Sequence, residues 1–244
     1  MGKEFFDKLH TENGRRGTTL IEMVVSFALL GIFVAMSTVI ISNVTGLYYR
    51  VRGENYARQV GDIVINKVSS EISGSIYEKR NYSLNPKIDL DEEFTLVENG
   101  VVNTVETSGN SIVLYDRTDT GVRMYASDGI LQIYYIPIED EITPENNRTG
   151  VIWKFDPQIY NGYKITRMVF APANQAENQA YAAAFEMEEP EISSYDADVI
   201  AVYMSLESGK YGRFNICRYV RLYNASESAA WKKDSAENLY YIAE

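Results

Sequence analysis

The distribution of apolar and polar positions divides the chain into three parts. In the first, the 27 residues from Met23 to Tyr49 contain no Asp, Glu, Lys or Arg. About 20 apolar residues in a helix already cross the hydrocarbon core of a bilayer. This run therefore predicts a membrane-spanning helix near the N-terminus.

In the second part, apolar residues recur at steps of three and four, with charged residues mostly on the other faces. These apolar positions are Val51, Tyr56, Ala57, Val60, Ile63, Val64, Val68 and Ile72. The pattern predicts an amphipathic continuation of the apolar helix that ends at Ser73-Gly74-Ser75. A continuous helix from Thr18 to about Ser73 would be on the order of 80 Å long, which exceeds a membrane and suits packing on a folded domain.

From about residue 76 the apolar period becomes two. Asn99-Gly100 and Asp128-Gly129 each separate two extended runs, and both dipeptides suit type I′ hairpin turns. Further extended runs cover 151–155, 163–171, 199–206 and 211–223, whereas 139–150 and 172–194 are predicted to be loops outside the sheet. The predicted fold class is α+β, with a long N-terminal α-helix packed on an antiparallel β-sheet head.

The segment before the apolar run is short and polar. Residues 1–17 contain four basic and three acidic residues and end in Gly17. With the residues that follow, this segment resembles the type IV prepilin family, whose signal is a basic leader ending in Gly, then Thr-Leu-Ile-Glu and a long apolar helix. The positions that match are Gly17, Thr19, Leu20, Ile21, Glu22 and, inside the apolar run, Gly31.

The resemblance implies that a prepilin peptidase cuts between Gly17 and Thr18, and that Thr18 is the candidate for N-methylation. The expected regions are a cytoplasmic leader (1–17), a transmembrane and filament-core helix (18–49), its amphipathic continuation (50–74) and an extracytoplasmic β-rich head (75–244). Thr18 stands where the family usually has Phe. Val39 stands where major pilins carry the Pro at which the assembled helix loosens, so two alternatives stay open: a continuous helix, or a helix whose melting is seeded by Gly31 alone.

Glu22 needs a physical explanation, because a charged residue at the bilayer centre costs about 2.5–3.5 kcal/mol on insertion scales. Cleavage after Gly17 would create a positive α-amino group on Thr18, and N-methylation would keep that charge. In a staggered bundle, Glu22 of one subunit can neutralise the terminal amine of its neighbour and fix the register of assembly. The alternative is that Glu22 caps the first turn of its own helix, where the helix dipole favours a carboxylate.

Two other interpretations of the apolar run stay open. An ordinary secretory signal could be cut at Ala35-Met36-Ser37, but it would leave Glu22 unexplained and discard an apolar run longer than export requires. The run could also be a plain single-pass anchor, and its flanking charges do not decide the orientation because Arg residues flank both ends.

Composition narrows the possible functions. The 244 residues are 45% hydrophobic and 12% aromatic, which is enough for a sizeable core. The net charge of −11 argues against nucleic acid or an anionic membrane surface as the main ligand of the folded part. A lone cysteine, Cys217, excludes an intrachain disulfide, and the lone histidine, His10, lies upstream of the expected cut. A mature chain without histidine excludes most common hydrolase designs.

Two acidic stretches are candidate calcium ligands, but both are more typical of solvated surface. In the first, Asp89–Glu93, Phe94 and Gly100 stand where an EF-hand loop needs Gly and Glu. The second stretch comprises Glu186, Glu188, Glu189, Glu191, Asp196 and Asp198. No metal site, catalytic residue or cofactor is predicted, and an enzyme is not expected.

The tyrosines, the lone cysteine and one arginine of the head are candidates for surface contacts or for structural roles. The 19 tyrosines could form an adhesive surface, although strand propensity explains most of them. In the run 211–223, taken as the last strand, Cys217 is predicted to lie opposite an apolar face and to be structural rather than nucleophilic. That face comprises Phe214, Ile216, Val220 and Leu222. Arg218 interrupts it and is expected to pair with a carboxylate or to mark a subunit contact.

The sequence thus predicts a structural subunit, a minor (tip or priming) pilin of a type IV pilus or related pseudopilus. A pseudopilin for secretion or competence and a membrane-anchored extracellular binding or adhesion protein are the alternatives. Expected partners are other pilin subunits, the prepilin peptidase, the cytoplasmic membrane and the pilus assembly machinery, with no nucleic acid for the head. The expected location is the cytoplasmic membrane as a single-pass precursor, then a cell-surface filament.

Overall fold

The structure is a computed structural model that describes residues 19–75, 86–98, 100–116, 120–137, 150–223, 229–234 and 238–243. The chain divides into two compact units, Met1–Val51 and Arg52–Glu244. One helix, α1, runs from Leu20 to Gly74 and contributes to both. It is α-helical at Gly31 and at Val39, so the helix is continuous in this structure, and it ends at Gly74 as predicted.

In the first unit, the side chains of α1 are exposed almost throughout. The large apolar ones from Leu20 to Val51 are between 43% and 84% exposed. Among the described residues, α1 is the one helix long and apolar enough to cross a membrane. An apolar surface of this extent needs a bilayer or another protein to cover it.

In the second unit, one face of α1 is buried. The buried residues are Gly53, Ala57, Val60, Gly61, Val64, Ile65, Val68 and Ile72. The predicted stripe was wrong at Val51 and Ile63, which are exposed, and it omitted Ile65 and both glycines. The glycines belong to the face because they admit close neighbours: a Cβ on Gly61 would lie 1.8 Å from Cδ1 of Ile216. A pattern that counts only apolar side chains does not register such positions.

The second unit contains twelve strands among the described residues. They are β1 Lys87–Asp89, β2 Glu93–Glu98, β3 Val101–Glu106, β4 Ser111–Tyr115, β5 Thr120–Ser127, β6 Ile130–Pro137, β7 Val151–Lys154, β8 Lys164–Pro172, β9 Val199–Ser208, β10 Gly212–Arg221, β11 Ala229–Lys233 and β12 Leu239–Ala243. They form a seven-stranded sheet in the order β11-β12-β1-β4-β5-β6-β7, a three-stranded sheet β10-β9-β8 and a two-stranded sheet β2-β3. The pairs between named strands are antiparallel, so the predicted α+β fold is confirmed.

Both predicted hairpins are present. Asp128 and Gly129 have φ of 55° and 82°, as a type I′ turn between β5 and β6 requires. Gly100 has φ of 77° in the turn between β2 and β3, and Asn99 lies outside the described residues. The four other extended runs correspond to β7, β8, β9 and β10.

Other predictions need correction. The predicted loop 172–194 contains a helix, α2 (Ala176–Ala184), and a short 3-10 helix (Ile192–Ser194). The helix α2 contains few large apolar residues, so its sequence shows little of the helical periodicity from which it could have been predicted. Strands β1, β4, β11 and β12 were not predicted, and β10 is therefore not the last strand. Nearly all of the other predicted loop, 139–150, lies outside the described residues.

The three-stranded sheet is covered on both faces. One face joins α1 and the seven-stranded sheet in the main core, with Phe170, Val202 and Met204 fully buried. The alternate residues Val169 and Tyr203 point to the other face, where they pack with residues at the end of α2. Cys217 packs in this second cluster, opposite Phe214 and Ile216, as predicted.

Two charged groups of the head are held by contacts far apart in sequence. Asp89, expected in a solvated stretch, is buried and lies 3.2 Å from Nη2 of Arg123 and 3.5 Å from Nζ of Lys87. Arg218 lies 3.0 Å from Asp62 on α1 and also donates to Asn66, so it pairs with a carboxylate within the chain.

Candidate functional site

The first turn of α1 is closed by Thr19 and Glu22. The backbone N–H of Glu22 donates to Oγ1 of Thr19 at 3.3 Å. In return, Oε2 of Glu22 accepts from the backbone N–H of Thr19 at 3.0 Å and from its hydroxyl at 3.3 Å. This reciprocal arrangement is a capping box, which satisfies two donors at the start of a helix. In the uncut chain Glu22 therefore caps its own helix.

The cap uses only part of the hydrogen-bonding capacity of the carboxylate. Both bonds from Thr19 reach Oε2, and among the described residues no hydrogen bond reaches Oε1. Glu22 is exposed and is followed by the run without Asp, Glu, Lys or Arg from Met23 to Tyr49. The geometry thus presents one acceptor oxygen at the start of a long apolar surface, and an ammonium group is the donor that matches its charge.

The other predicted site residues lie along the same helix. Leu20 and Ile21 are exposed on the first turn, and a Cβ on Gly31 would meet nothing within 4 Å. Gly17 and Thr18 lie outside the described residues. The structure therefore brings Thr19 and Glu22 together and leaves Leu20, Ile21 and Gly31 as surface positions.

Residues 13–38 match the family model of the prokaryotic N-terminal methylation motif. The chain carries the type IV pilin and pseudopilin signature. The matched residues include Gly17, Thr18, Glu22 and Gly31, and they end well before the head begins. Comparison with curated proteins and with solved structures gives no match.

The pilin signature narrows the class of function. It indicates a structural rather than a catalytic protein, and it supports a structural subunit of the type IV pilin or pseudopilin class. It also implies processing by a prepilin peptidase and assembly with other pilins. Together with the exposed apolar helix, it is consistent with membrane anchoring and a surface filament.

The lone cysteine and the acidic residues of the head lie in surroundings that favour a structural role over a catalytic or metal-binding one. Burial raises the pKa of the Cys217 thiol to about 11, so this thiol stays protonated at neutral pH and is a poor nucleophile. Asp196 and Asp198, from the second acidic stretch, both contact Arg221. Within the described ranges no group of three or more His, Cys, Asp or Glu side chains is placed to hold a metal ion.

The capping box was readable from the sequence. Thr19-Leu20-Ile21-Glu22 has the Thr-x-x-Glu spacing of that motif immediately before an apolar run. Capping of the first turn by Glu22 was one of its two predicted roles, but Thr19 was not predicted as the partner. This pairing matters because it assigns Glu22 a role before any second subunit is present.

Proposed function

We propose that the chain is a minor subunit, at the tip or in the priming complex, of a type IV pilus or related pseudopilus. It enters the cytoplasmic membrane as a single-pass precursor, is cut between Gly17 and Thr18, and polymerises through α1. The observation that carries the proposal is the capped but incompletely bonded Glu22 at the start of an exposed apolar helix, inside the methylation motif.

The exposed apolar surface of α1 can be covered first by lipid and later by the helices of other subunits. In the precursor, the bilayer covers the side chains between Leu20 and Tyr49. In a filament, the corresponding helices of neighbouring subunits cover the same surface. The transfer from lipid to protein involves little change in hydrophobic free energy, so a specific polar contact is needed to define the register of the helices.

Glu22 supplies that contact once the leader is removed. Cleavage creates the α-amino group of Thr18, and Oε1 of Glu22 is the acceptor available to the corresponding amine of a neighbour. In a surrounding of low dielectric constant, this pairing is much stronger than in water, and a shifted register would leave both charges unpaired. Assembly then depends on prior processing, because the amine does not exist in the precursor.

The size of the extracytoplasmic part supports a minor role. The mature chain would have 227 residues, 244 minus the leader of 17. A head with three sheets and a second helix is bulky for a subunit that packs repeatedly along a filament. The proposed regions remain the leader 1–17, the core helix 18–49, its continuation 50–74 and the head 75–244.

Mass spectrometry of the mature N-terminus tests the cleavage. We expect a chain that begins at Thr18 and carries a methyl group on its amine. A Gly17→Leu variant is expected to keep its leader, because a bulky side chain replaces the glycine of the recognition motif. A Gly14→Ala variant, changed in the same leader, should be processed normally. A mature chain that begins at Thr38 or retains Met1 would contradict the proposal.

A further inference from the structure

Strand β3 has an open edge. Among the described strands, only β2 pairs with it. The backbone N–H of Thr107 donates to the carbonyl of Glu92 at 2.7 Å, which fixes where the hydrogen-bonded pairs of this ladder fall. Because such pairs alternate in an antiparallel ladder, Val102, Thr104 and Glu106 turn their N–H and C=O groups away from β2. These outward groups are the ones to which an added strand would bond.

The same alternation can be checked on β2, where the outward groups of Val97 are occupied. The N–H of Val97 donates to the hydroxyl of Tyr134 at 3.2 Å. Its carbonyl accepts from that hydroxyl at 2.7 Å and from the N–H of Gly150 at 3.1 Å. Val102, which is opposite Val97, has no corresponding partner within the described ranges. The hairpin is therefore joined to the head along β2 and is open along β3.

A cavity of about 630 Å³ adjoins the open edge. One side of it is formed by residues 104–108, at the end of β3, together with Glu93 on β2. The other side is formed by Ser127, Asp128 and Gln132 of the β5–β6 hairpin. A volume of this size is in the range of binding pockets, so side chains of a strand added to β3 can be accommodated here.

The cavity is acidic. Glu93, Glu106 and Asp128 line it, and the lining residues in the described part of the chain include no Lys or Arg. Glu93 is directly opposite Glu106, at a non-hydrogen-bonded pair, where cross-strand side chains come closest. Like charges in such positions destabilise a sheet, so a cation between them would be stabilising.

One lysine lies near the cavity without neutralising it. A Cβ on Gly129 would lie 3.0 Å from Cβ of Lys164, yet no ion pair joins Lys164 to Asp128 in the part of the chain that the structure describes. Three carboxylates against one neighbouring lysine leave an excess of two negative charges. Among the described side chains no three acidic groups converge on a metal ion, so separate ammonium or guanidinium groups suit them better.

Ser127 is an independent indication of a ligand. It alternates with Ala126 of the main core, so its side chain lies on the same face of β5 as Tyr125, the face that packs against the β2–β3 hairpin. Ser127 is only 8% exposed, and its hydroxyl has no hydrogen-bond partner among the described residues, whereas its carbonyl accepts from Gln132 at 3.5 Å. Buried hydroxyl groups are usually hydrogen-bonded, so this one lacks a partner that a ligand in the cavity would supply.

We infer that the open edge of β3 binds an extended segment of another protein that carries lysine or arginine side chains. The segment adds to β3 as a further strand, and its cations contact the carboxylates of the cavity. Val101 and Val102, which are 58% and 68% exposed, supply apolar contacts. A second copy of this chain fits poorly as the partner, because β3 contains no cation and ends in Glu106.

The test measures binding of a fluorescent peptide, with blocked ends and alternating Val and Lys residues, to the full-length precursor in a nonionic detergent. The site lies in the head, so the result does not depend on cleavage at Gly17 or on assembly through α1. Fluorescence anisotropy should show saturable binding that weakens as salt is raised. The same peptide with Glu in place of Lys, and a version methylated on every backbone nitrogen, should not bind.

Two pairs of variants test the two parts of the contact. Glu106→Gln and Asp128→Asn should each weaken binding by about two- to fivefold, the effect of one exposed ion pair, while Glu188→Gln, an exposed carboxylate after α2, should not. Thr104→Pro removes an outward N–H and is compatible with an edge strand, so binding should fall by about tenfold or more. Thr104→Ala keeps that N–H and should bind like the parent chain.

Three results would overturn the inference. Equal binding of the Lys and Glu peptides, or an equal loss with Glu188→Gln, would show that the carboxylates of the cavity do not select the ligand. Undiminished binding of the methylated peptide would exclude addition of a strand. Self-association of the precursor that Thr104→Pro abolishes would make a second copy the partner. The carboxylate variants keep the backbone unchanged, so they test the site independently of how Thr104→Pro folds.

Discussion

The Glu22→Ala variant is expected to be processed after Gly17 like the parent chain and to be missing from purified filaments. In the proposed contact, Glu22 neutralises a neighbour's terminal amine inside a bundle of apolar helices. Removal of one partner from a buried ion pair costs about 3–5 kcal/mol, because it leaves the other charge uncompensated. Incorporation should therefore fall roughly a hundredfold or more. Immunoblots of membrane and sheared filament fractions measure this directly.

The capping box supplies matched controls that separate the two roles of Glu22. Glu22→Gln removes the charge, yet Gln also serves at this position of a capping box. Thr19→Ala removes the cap, at about 1 kcal/mol, and keeps the charge. We expect the Gln variant to fail in assembly and the Thr19→Ala variant to assemble. The reverse result, with Gln tolerated and Thr19→Ala defective, would show that Glu22 acts only as a cap.

The same variants distinguish a filament subunit from a membrane-anchored binding protein. An anchor needs only the apolar surface of α1, which none of these substitutions reduces. All variants should remain in the membrane fraction under either hypothesis. A binding protein would then keep its surface exposure with Ala at position 22, whereas a filament subunit would not leave the membrane.

The elements that were predictable have strong local signals. The run without charges from Met23 to Tyr49 and the three- and four-residue steps after it are properties of one continuous segment, and they predicted α1 to its end. The Asp128-Gly129 hairpin was predictable for the same reason, since both of its residues adopt positive φ. The Thr19–Glu22 cap also joins residues that are close in sequence, so the candidate site at the start of α1 can be predicted from the sequence.

The missed elements depend on distant residues. Strand β1 has only three residues, and Lys87 is held between Val113 on β4 and Tyr240 on β12. Asp89 was expected in water because it begins an acidic stretch, but Arg123, 34 positions away, contacts it in the folded chain.

One tight link between the two larger sheets shows how much the head depends on a single glycine. Gly109 forms a bridge to Met168 on β8 and has φ of 135°. Its neighbours complete the link: the N–H of Met168 donates to the carbonyl of Ser108 at 2.7 Å, and Asn110 exchanges two hydrogen bonds with the backbone of Phe170. A Cβ at position 109 would lie 2.0 Å from the carbonyl oxygen of Met168.

Gly109→Ala is therefore expected to lower the free energy of unfolding by about 3–5 kcal/mol. The strained φ and the steric overlap each contribute, and a backbone carbonyl cannot turn away as a side chain would. Urea unfolding of the full-length chain in detergent, followed by the fluorescence of Trp153 and Trp231, measures the loss. Gly209→Ala, where a Cβ meets nothing within 4 Å, should stay within about 0.5 kcal/mol of the parent chain. Equal midpoints for the two variants would show that the link at Gly109 tolerates a side chain and does not hold the sheets together.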